Sequence, residues 1–502
     1  MSGPRARLLL VLLSGCRSAA APPDVPVRTG VPTIVVGAPD RILLTGTVVT
    51  PDTSFDGQVL VEGDLVTCVA PGATCGQAPG AIGATLIDTQ AVIAPGLVDV
   101  HNHILFDIFD NDDWFPSQLY TDHDQWPAEP RYAAMLDVKQ CLVNDPQGQP
   151  AWCAQTPYGT TAGSLRCEVD KWGELKGLVA GTTAIVGLAG TTGPCFGSLA
   201  RSVDAPQNGL GQDKIQSTAL YPPSNPSDVC TNFATGKTDA FVLHVGEGTD
   251  ATAGGELARL GSMTTPANCL YAPQTAITHG VAFTPTDFVM MGQAGMKLVW
   301  SPQSNVSLYG QTADIPSALD AGVTVALGPD WSMGGSRNML DELRFADAWD
   351  NAHWNDRLSA QDLVTTATAH GAQALALGDK LGTIAVGHLA DLAVFAGDVT
   401  RPYDAIVAAR PVNVELVMVG GVVLYGDAAL AAAGPVAPGC EAIDICGTPK
   451  FLCVATTATT DKLDQTYAQI EAALSQALAA ADAQTPGDGY DFAPLTPLAS
   501  CN

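Results

Sequence analysis

Apolar and polar positions divide the chain into three textures. From Thr33 to about Ile93, short β-branched runs (TIVV, RILLTGTVV, GQVLVEGDLVTCVA, ATLIDTQAVI) alternate with Gly, Pro and Asp turns, the pattern of small antiparallel strands. The same texture returns in HLADLAVFAG (388–397) and VELVMVGGVVLYGD (414–427). Between them, apolar strand-like runs alternate with helical stretches, which predicts a parallel α/β unit. The expected fold class is α/β: a TIM-type (β/α)8 barrel over 94–380, with a small β-sandwich side domain formed from both flanks, 33–93 and 381–427. The last stretch, 428–502, is rich in Ala, Pro and Cys, with one amphipathic helix where Leu463, Tyr467, Ile470, Leu474 and Leu478 fall at helical spacing. One region departs from the pattern: two βα units are due between Gly190 and Ala240, yet only QSTALY (216–221) reads as a good strand.

The N-terminus has its own logic. A basic start, an apolar run from Leu8 to Leu13 and the small residues Ser14-Gly15-Cys16 describe an export signal too short to span a bilayer. Leu13-Ser14-Gly15-Cys16 resembles a bacterial lipobox, so residues 1–23 are expected to hold a lipoprotein signal peptide, with Cys16 the lipidation site. That predicts an exported bacterial lipoprotein, at the outer membrane or facing the periplasm, whose membrane contact is its lipid anchor. The bland alternative is an ordinary signal cleaved near Ala19 to Ala21. Residues from Ala19 to roughly Pro32 read as a tether.

Composition narrows the partners. Of 502 residues, 46% are hydrophobic and 15% charged, as in globular proteins. Lys+Arg number 23 against 51 Asp+Glu, a net charge of −28. Such a surface repels phosphate backbones, so a nucleic-acid partner is excluded and a small-molecule substrate expected. There are 13 cysteines, and setting Cys16 aside leaves an even set without a C-x-x-C pair, which speaks for disulfides and against a zinc ribbon. Cys68 with Cys75, and pairings among Cys440, Cys446, Cys453 and Cys501, would close short loops.

The chemistry gathers at strand ends. In Pro95-Gly96-Leu97-Val98-Asp99-Val100-His101-Asn102-His103 an apolar strand runs into two histidines, and alternate strand residues share a face. Two imidazoles converging at the C-terminal end of a barrel strand make half a metal site. Phe241 to Glu247 (FVLHVGE) ends another apolar strand in His244, with a carboxylate three residues on. TAITH ends a third in His279, and AGVTVALGPD a fourth in Asp330. The other four of the 8 histidines read as ordinary surface or capping residues: His123 among acidic residues and Pro, His353 and His370 in helical stretches, His388 opening a strand. The acidic, aromatic segment from Asp107 to Tyr132 either walls a pocket for a flat ring or covers the barrel.

PGLVDVHNH, HVGE, ITHG, SPQSN (301–305), ALGPD with MLDELRFA (339–346), and TATAHGAQALALGDKLGTIAVGHLADLAVF (366–395) together resemble the ordered signatures of the amidohydrolase superfamily, over about residues 40 to 427. The H-x-x-E arrangement is similar to the mononuclear branch that holds cytosine and guanine deaminases and triazine hydrolases. The resemblance implies one divalent metal, zinc or iron, on His101, His103, His244 and Asp330. It implies catalytic roles for Glu247 as proton shuttle, for His279 beside the metal's water or sharing in ligation, and for Asp330. The branch with a bridging carboxylated Lys does not fit, because Lys214 precedes its strand and Lys176 sits in a helical stretch. The implied activity is hydrolysis of a non-peptide carbon–nitrogen bond, in the first instance deamination of a cyclic amidine or N-heterocycle. A hydrolase of linear amides or acyl amino acids, and a catalytically silent metal-binding lipoprotein, are the alternatives.

Overall fold

The computed structural model describes residues 30–188, 199–206, 208–219, 221–435, 439–455, 464–485 and 489–501. The export segment with Cys16, and Leu463 of the expected amphipathic helix, lie outside them. The N-terminal strands are β1 (Thr33–Val35), β2 (Ala38–Val49), β3 (Ser54–Glu62), β4 (Leu65–Pro71) and β5 (Ala84–Pro95). The central ones are β6 (Leu97–Asp99), β7 (Thr182–Ile185), β8 (Arg201–Ser202), β9 (Ile215–Thr218), β10 (Ala240–Val245), β11 (Thr275–His279), β12 (Lys297–Trp300) and β13 (Thr324–Leu327). The C-terminal ones are β14 (Leu392–Phe395), β15 (Val414–Val419), β16 (Val422–Asp427), β17 (Cys440–Ile445) and β18 (Thr448–Cys453).

Both flanks meet in one sheet. β5 pairs antiparallel with β14, from Leu392↔Pro95 to Phe395↔Val92. The resulting 10-stranded sheet runs β17-β18-β16-β15-β14-β5-β2-β3-β4, with β1 on β5. The expected boundary at 428 does not divide this sheet, because the β17–β18 hairpin continues it through β16. Lys450 explains the attachment. Its buried ammonium reaches Asp427 at 2.6 Å and donates to the carbonyls of Val412 (3.0 Å) and Val414 (2.7 Å), so the tail supplies a cation that the sheet edge surrounds with oxygen. The amphipathic helix is Tyr467–Asp482, with Ile470, Leu474 and Leu478 buried and the Tyr467 ring stacked on Trp172. Disulfides join Cys68 to Cys75, Cys440 to Cys453 and Cys446 to Cys501, within the groups that short loops favour, and add Cys141–Cys153 and Cys230–Cys269.

The central strands are parallel. One sheet is β13-β12-β11-β10-β9, another β6-β7-β8. Backbone contacts beyond the strand ends link β13 to β6: a parallel bridge pairs Asn102 with Asp330, and Asp330 N donates to His101 O at 2.9 Å. The strands thus follow one another in an arc from β8 through β6 and β13 to β9. β10 is buried along its whole length, as expected for a parallel strand covered on both faces. The stretch with one legible strand holds, among its described residues, two very short ones, β8 and β9. Side chains do the joining there: Asp204 accepts from Ser217 Oγ (2.6 Å) and from Gly187 N (3.0 Å). A two-residue strand such as β8 leaves no hydrophobic period to read.

A buried ion pair ties this arc to the sheet. Arg201 of β8 donates from Nε to Asp391 Oδ2 at 2.7 Å and from Nη2 to Oδ1 at 3.0 Å, while Gly420 N donates to the same Oδ1 at 2.7 Å. Removing one partner leaves the other charge desolvated. Asp391→Ala is therefore expected to cost about 3–5 kcal/mol, read from the urea midpoint. A loss below about 1 kcal/mol, the worth of an exposed pair, would show that the clamp carries no stability.

Candidate active site

His101, His103, His244 and Asp330, which lie far apart in sequence, bring their donor atoms together. His101 Nε2 is 3.0 Å from His244 Nε2 and 3.2 Å from Asp330 Oδ1. His103 Nε2 is 3.4 Å from each of the same two atoms. β6 ends at Asp99, two residues before His101, but the bridge to Asp330 carries the extended path on, so both histidines face one side as alternation predicts. Gly328 is required for this approach, since a Cβ there would stand 2.6 Å from the His101 nitrogen. Asp330 and His279 hold φ of 72° and 74°, a left-handed conformation costing on the order of 1–3 kcal/mol for such residues and concentrated at functional sites.

The imidazoles are aimed from behind. His101 Nδ1 bonds Ser301 Oγ at 2.8 Å. His244 Nδ1 donates to the Thr218 carbonyl at 3.2 Å, which leaves Nε2 as a bare lone pair. His279 Nδ1 donates to Asn305 Oδ1 at 2.8 Å, and the Asn305 amide donates onward to Thr312 Oγ1 at 3.1 Å. His279 Nε2 is buried without a hydrogen-bond partner. Lone pairs fixed by such outer bonds are the arrangement that metal-ligating histidines use.

A divalent cation fits this donor set. Burial, then mutual repulsion, holds His101, His103 and His244 well below the usual imidazole range, and burial pushes His279 down to about 3. All four are neutral, as ligands must be. Burial also pushes the Asp330 carboxyl well above its usual range, with Glu247 adding to the effect. A bound dication reverses that penalty by supplying the missing opposite charge. Three imidazoles and one carboxylate make a four-donor group, and His244, Glu247 and His279 form a second group sharing His244.

Glu247 stands beside the donor cluster. Its Oε2 lies 3.6 Å from His279 Nε2, and its Oε1 accepts from the Tyr309 hydroxyl at 2.7 Å. Burial raises its carboxyl to about 7, held back by the charge of His123 and by the Tyr309 bond. A group poised there exchanges protons readily near neutral pH. Glu256 secures the turn, its Oε2 accepting from Gly246 N at 2.6 Å.

The Asp107–Tyr132 segment packs on Trp331, which lies against the cluster. Trp331 packs on His103 with ring centroids 5.3 Å apart, and Phe106, Trp114, Trp126 and Tyr132 surround Trp331. His103 keeps a side-chain exposure of 18%, the most open of the four donors. His123, read from sequence as an ordinary surface residue, is half-buried with Nδ1 3.3 Å from the Glu247 carbonyl. The acidic neighbours that made it look solvated, Asp122 and Asp124, are those of its own turn. Tyr309, Trp331 and the carbonyl of Thr218 carried no sequence signal. Ser301 and Asn305 lay inside the SPQSN motif without an assigned role.

His244 takes part in both donor groups, so His244→Ala should remove the bound metal while the fold persists. Elemental analysis and melting temperature on one preparation check this, and unchanged metal content would dismiss the cluster as the binding site.

Residues 232–424 match the amidohydrolase family. A 5-methylthioadenosine/S-adenosylhomocysteine deaminase of Syntrophobacter fumaroxidans is 35% identical over 139 residues, 27% of this chain and 31% of that protein. In this and three similar matches the chain spans only 31–37% of the curated relatives' own length. A 5'-deoxyadenosine deaminase of Methanothermobacter thermautotrophicus matches more broadly, at 26% identity over 74% of this chain and 90% of its own. Among solved structures, an adenosine deaminase from Xanthomonas campestris with bound zinc superposes with a TM-score of 0.54 at 17% identity, covering 76% of this chain and 92% of its own. That last likeness is one of fold. The family match starts in the central α/β part and ends in β16 of the 10-stranded sheet, and together with the broad deaminase match and the ordered motifs it makes the chain similar to members of the amidohydrolase superfamily.

Proposed function

We propose that this chain is a metal-dependent aminohydrolase that releases ammonia from a cyclic amidine, with aminopurine nucleosides of the kind named for its relatives as the leading substrate class. The observation that carries the reading is Glu247: a buried carboxylate beside the donor cluster, one oxygen held by Tyr309 and the other turned to His279. A site that only stored a metal has no use for a group poised to exchange protons. On this reading the strand arc closes as a (β/α)8 barrel, and the 10-stranded sheet folds over as a β-sandwich side domain.

His101, His103, His244 and Asp330 would hold the ion, zinc by the character of the donors, with iron the alternative. Bound there, it would lower the pKa of a water to about 7 and polarise it for attack. Glu247 Oε2 is placed to take a proton from the attacking water and to deliver it to the ring nitrogen next to the attacked carbon. His279, neutral and with Nε2 bare, accepts a hydrogen bond from the attacking oxygen and steadies it. Asp330 takes the remaining hydroxyl proton and passes it to the exocyclic amine. The carbon–nitrogen bond breaks, ammonia departs and the carbonyl remains. The ring would lie against the aromatic wall of Trp331 and its neighbours.

An ammonia-release screen over purine nucleosides, free bases, pyrimidines and triazines tests the activity. With a substrate in hand, Glu247→Gln is expected to keep its metal and melting temperature and to lose roughly 10²–10⁴ in kcat, the usual worth of a positioned acid–base group. Unchanged turnover per bound metal would remove Glu247 from the mechanism.

The export reading is likewise a proposal, supported by the basic start, the apolar run and Leu13-Ser14-Gly15-Cys16. If Cys16 is acylated, the protein partitions into detergent and Cys16→Ser abolishes that. An unlipidated mature N-terminus near Pro22 in mass spectrometry would contradict the anchor.

A further inference from the structure

The two oxygens of Glu247 keep different company. Oε1 accepts from Tyr309, whose hydroxyl also stands 3.1 Å from Trp126 Nε1. An indole N–H only donates, so the Tyr309 oxygen accepts from Trp126 and its single proton goes to Glu247. The direction of the chain Trp126 to Tyr309 to Glu247 therefore follows from valence alone. The terminal torsion of a glutamate is broad, so with nothing on Oε1 the carboxylate plane would be free to turn and carry both oxygens out of line with His279.

Tyr309 also completes a spacing. Ser301 immediately precedes the short helix Pro302–Tyr309, Asn305 lies four residues on and Tyr309 four more, so the helical pair Asn305 and Tyr309 share one face with Ser301 a turn before them. Each supports a different group of the cluster: Ser301 bonds His101, Asn305 bonds His279, and Tyr309 bonds Glu247. The helix is itself anchored at this end, since Tyr120 N donates to Leu308 O at 2.7 Å.

We propose that Tyr309 is a positioning residue for Glu247: fixed by Trp126, its hydroxyl holds one carboxylate oxygen so that the other faces His279 and the donor cluster. This rests on the reading of Glu247 as proton shuttle. Tyr309 acts through Glu247 and has no bond to the metal donors.

Tyr309→Phe keeps the ring and deletes the bond. With the compound that wild type deaminates, kcat is expected to fall about tenfold, the effect of one lost bond to a charged group, with KM within about twofold and metal content unchanged. Trp126→Phe should give a smaller fall of the same kind, and Tyr309→Phe should add nothing in a Glu247→Gln background. A raised KM at constant kcat, lost metal, or an equal further loss in the Gln background would overturn the proposal. A second readout needs no substrate: in a melting-temperature cycle of Tyr309→Phe with Glu247→Ala, the two drops should be non-additive. Additive drops overturn the proposal even if turnover is never found. A wild type that releases no ammonia from any compound, with the melts still coupled, refutes the aminohydrolase reading and leaves Tyr309's hold on Glu247 standing.

Discussion

The backbone of Asp330 is clamped between two histidines. Its N–H donates to the carbonyl of His101 at 2.9 Å, and its carbonyl accepts from the N–H of His103 at 2.6 Å. This pair of bonds joins the end of β13 to the end of β6, the last and first of the central parallel strands along the chain. It sets His101, His103 and Asp330 side by side and holds Asp330 in a left-handed conformation it would not choose alone. His244 and His279 then need only stand at the ends of β10 and β11, which pair side by side with Val245 opposite His279. Break the clamp and the cluster loses its carboxylate and its alignment together.

That clamp concentrates unlike demands in a dry space. Imidazoles lose their protons to burial, and the buried Asp330 and Glu247 carboxyls resist losing theirs. A cation resolves the first conflict for Asp330. For Glu247 the resolution is partial: Tyr309 and His123 offset some of the burial, leaving the group near the point where it both takes and gives a proton. Placement of two carboxyls in different surroundings sorts their roles without any difference in their chemistry.

The surrounding scaffold works by tying distant pieces together. Arg201 and Asp391 connect the weakest strand of the arc to the sheet, and Lys450 brings the tail into that sheet. The Asp107–Tyr132 segment bonds to the Glu247 turn through the Asp122–Gly248 bridge and reaches Glu247 again through Trp126 and Tyr309. The aromatic segment and Glu247 are therefore one hydrogen-bonded body.

By itself, the sequence determined the alternation of textures, the β-rich flanks on either side of an α/β centre, and the strand ends that carry His101, His103, His244, His279 and Asp330. Strand period, apolar runs and short disulfide loops are local properties, and local properties are legible in a line of residues. It did not determine the two-residue strand β8, the sheet's continuation into the tail, or the roles of His123, Trp331 and Tyr309. Those depend on which surfaces meet. Tyr309 looks like any buried aromatic until a helix of the right length carries it to Glu247, and His123 looks solvated until Gly248 pairs with the residue before it. A hydrogen bond or a buried charge is set by its partner, and across the 62 residues that separate Tyr309 from Glu247 only the fold chooses that partner.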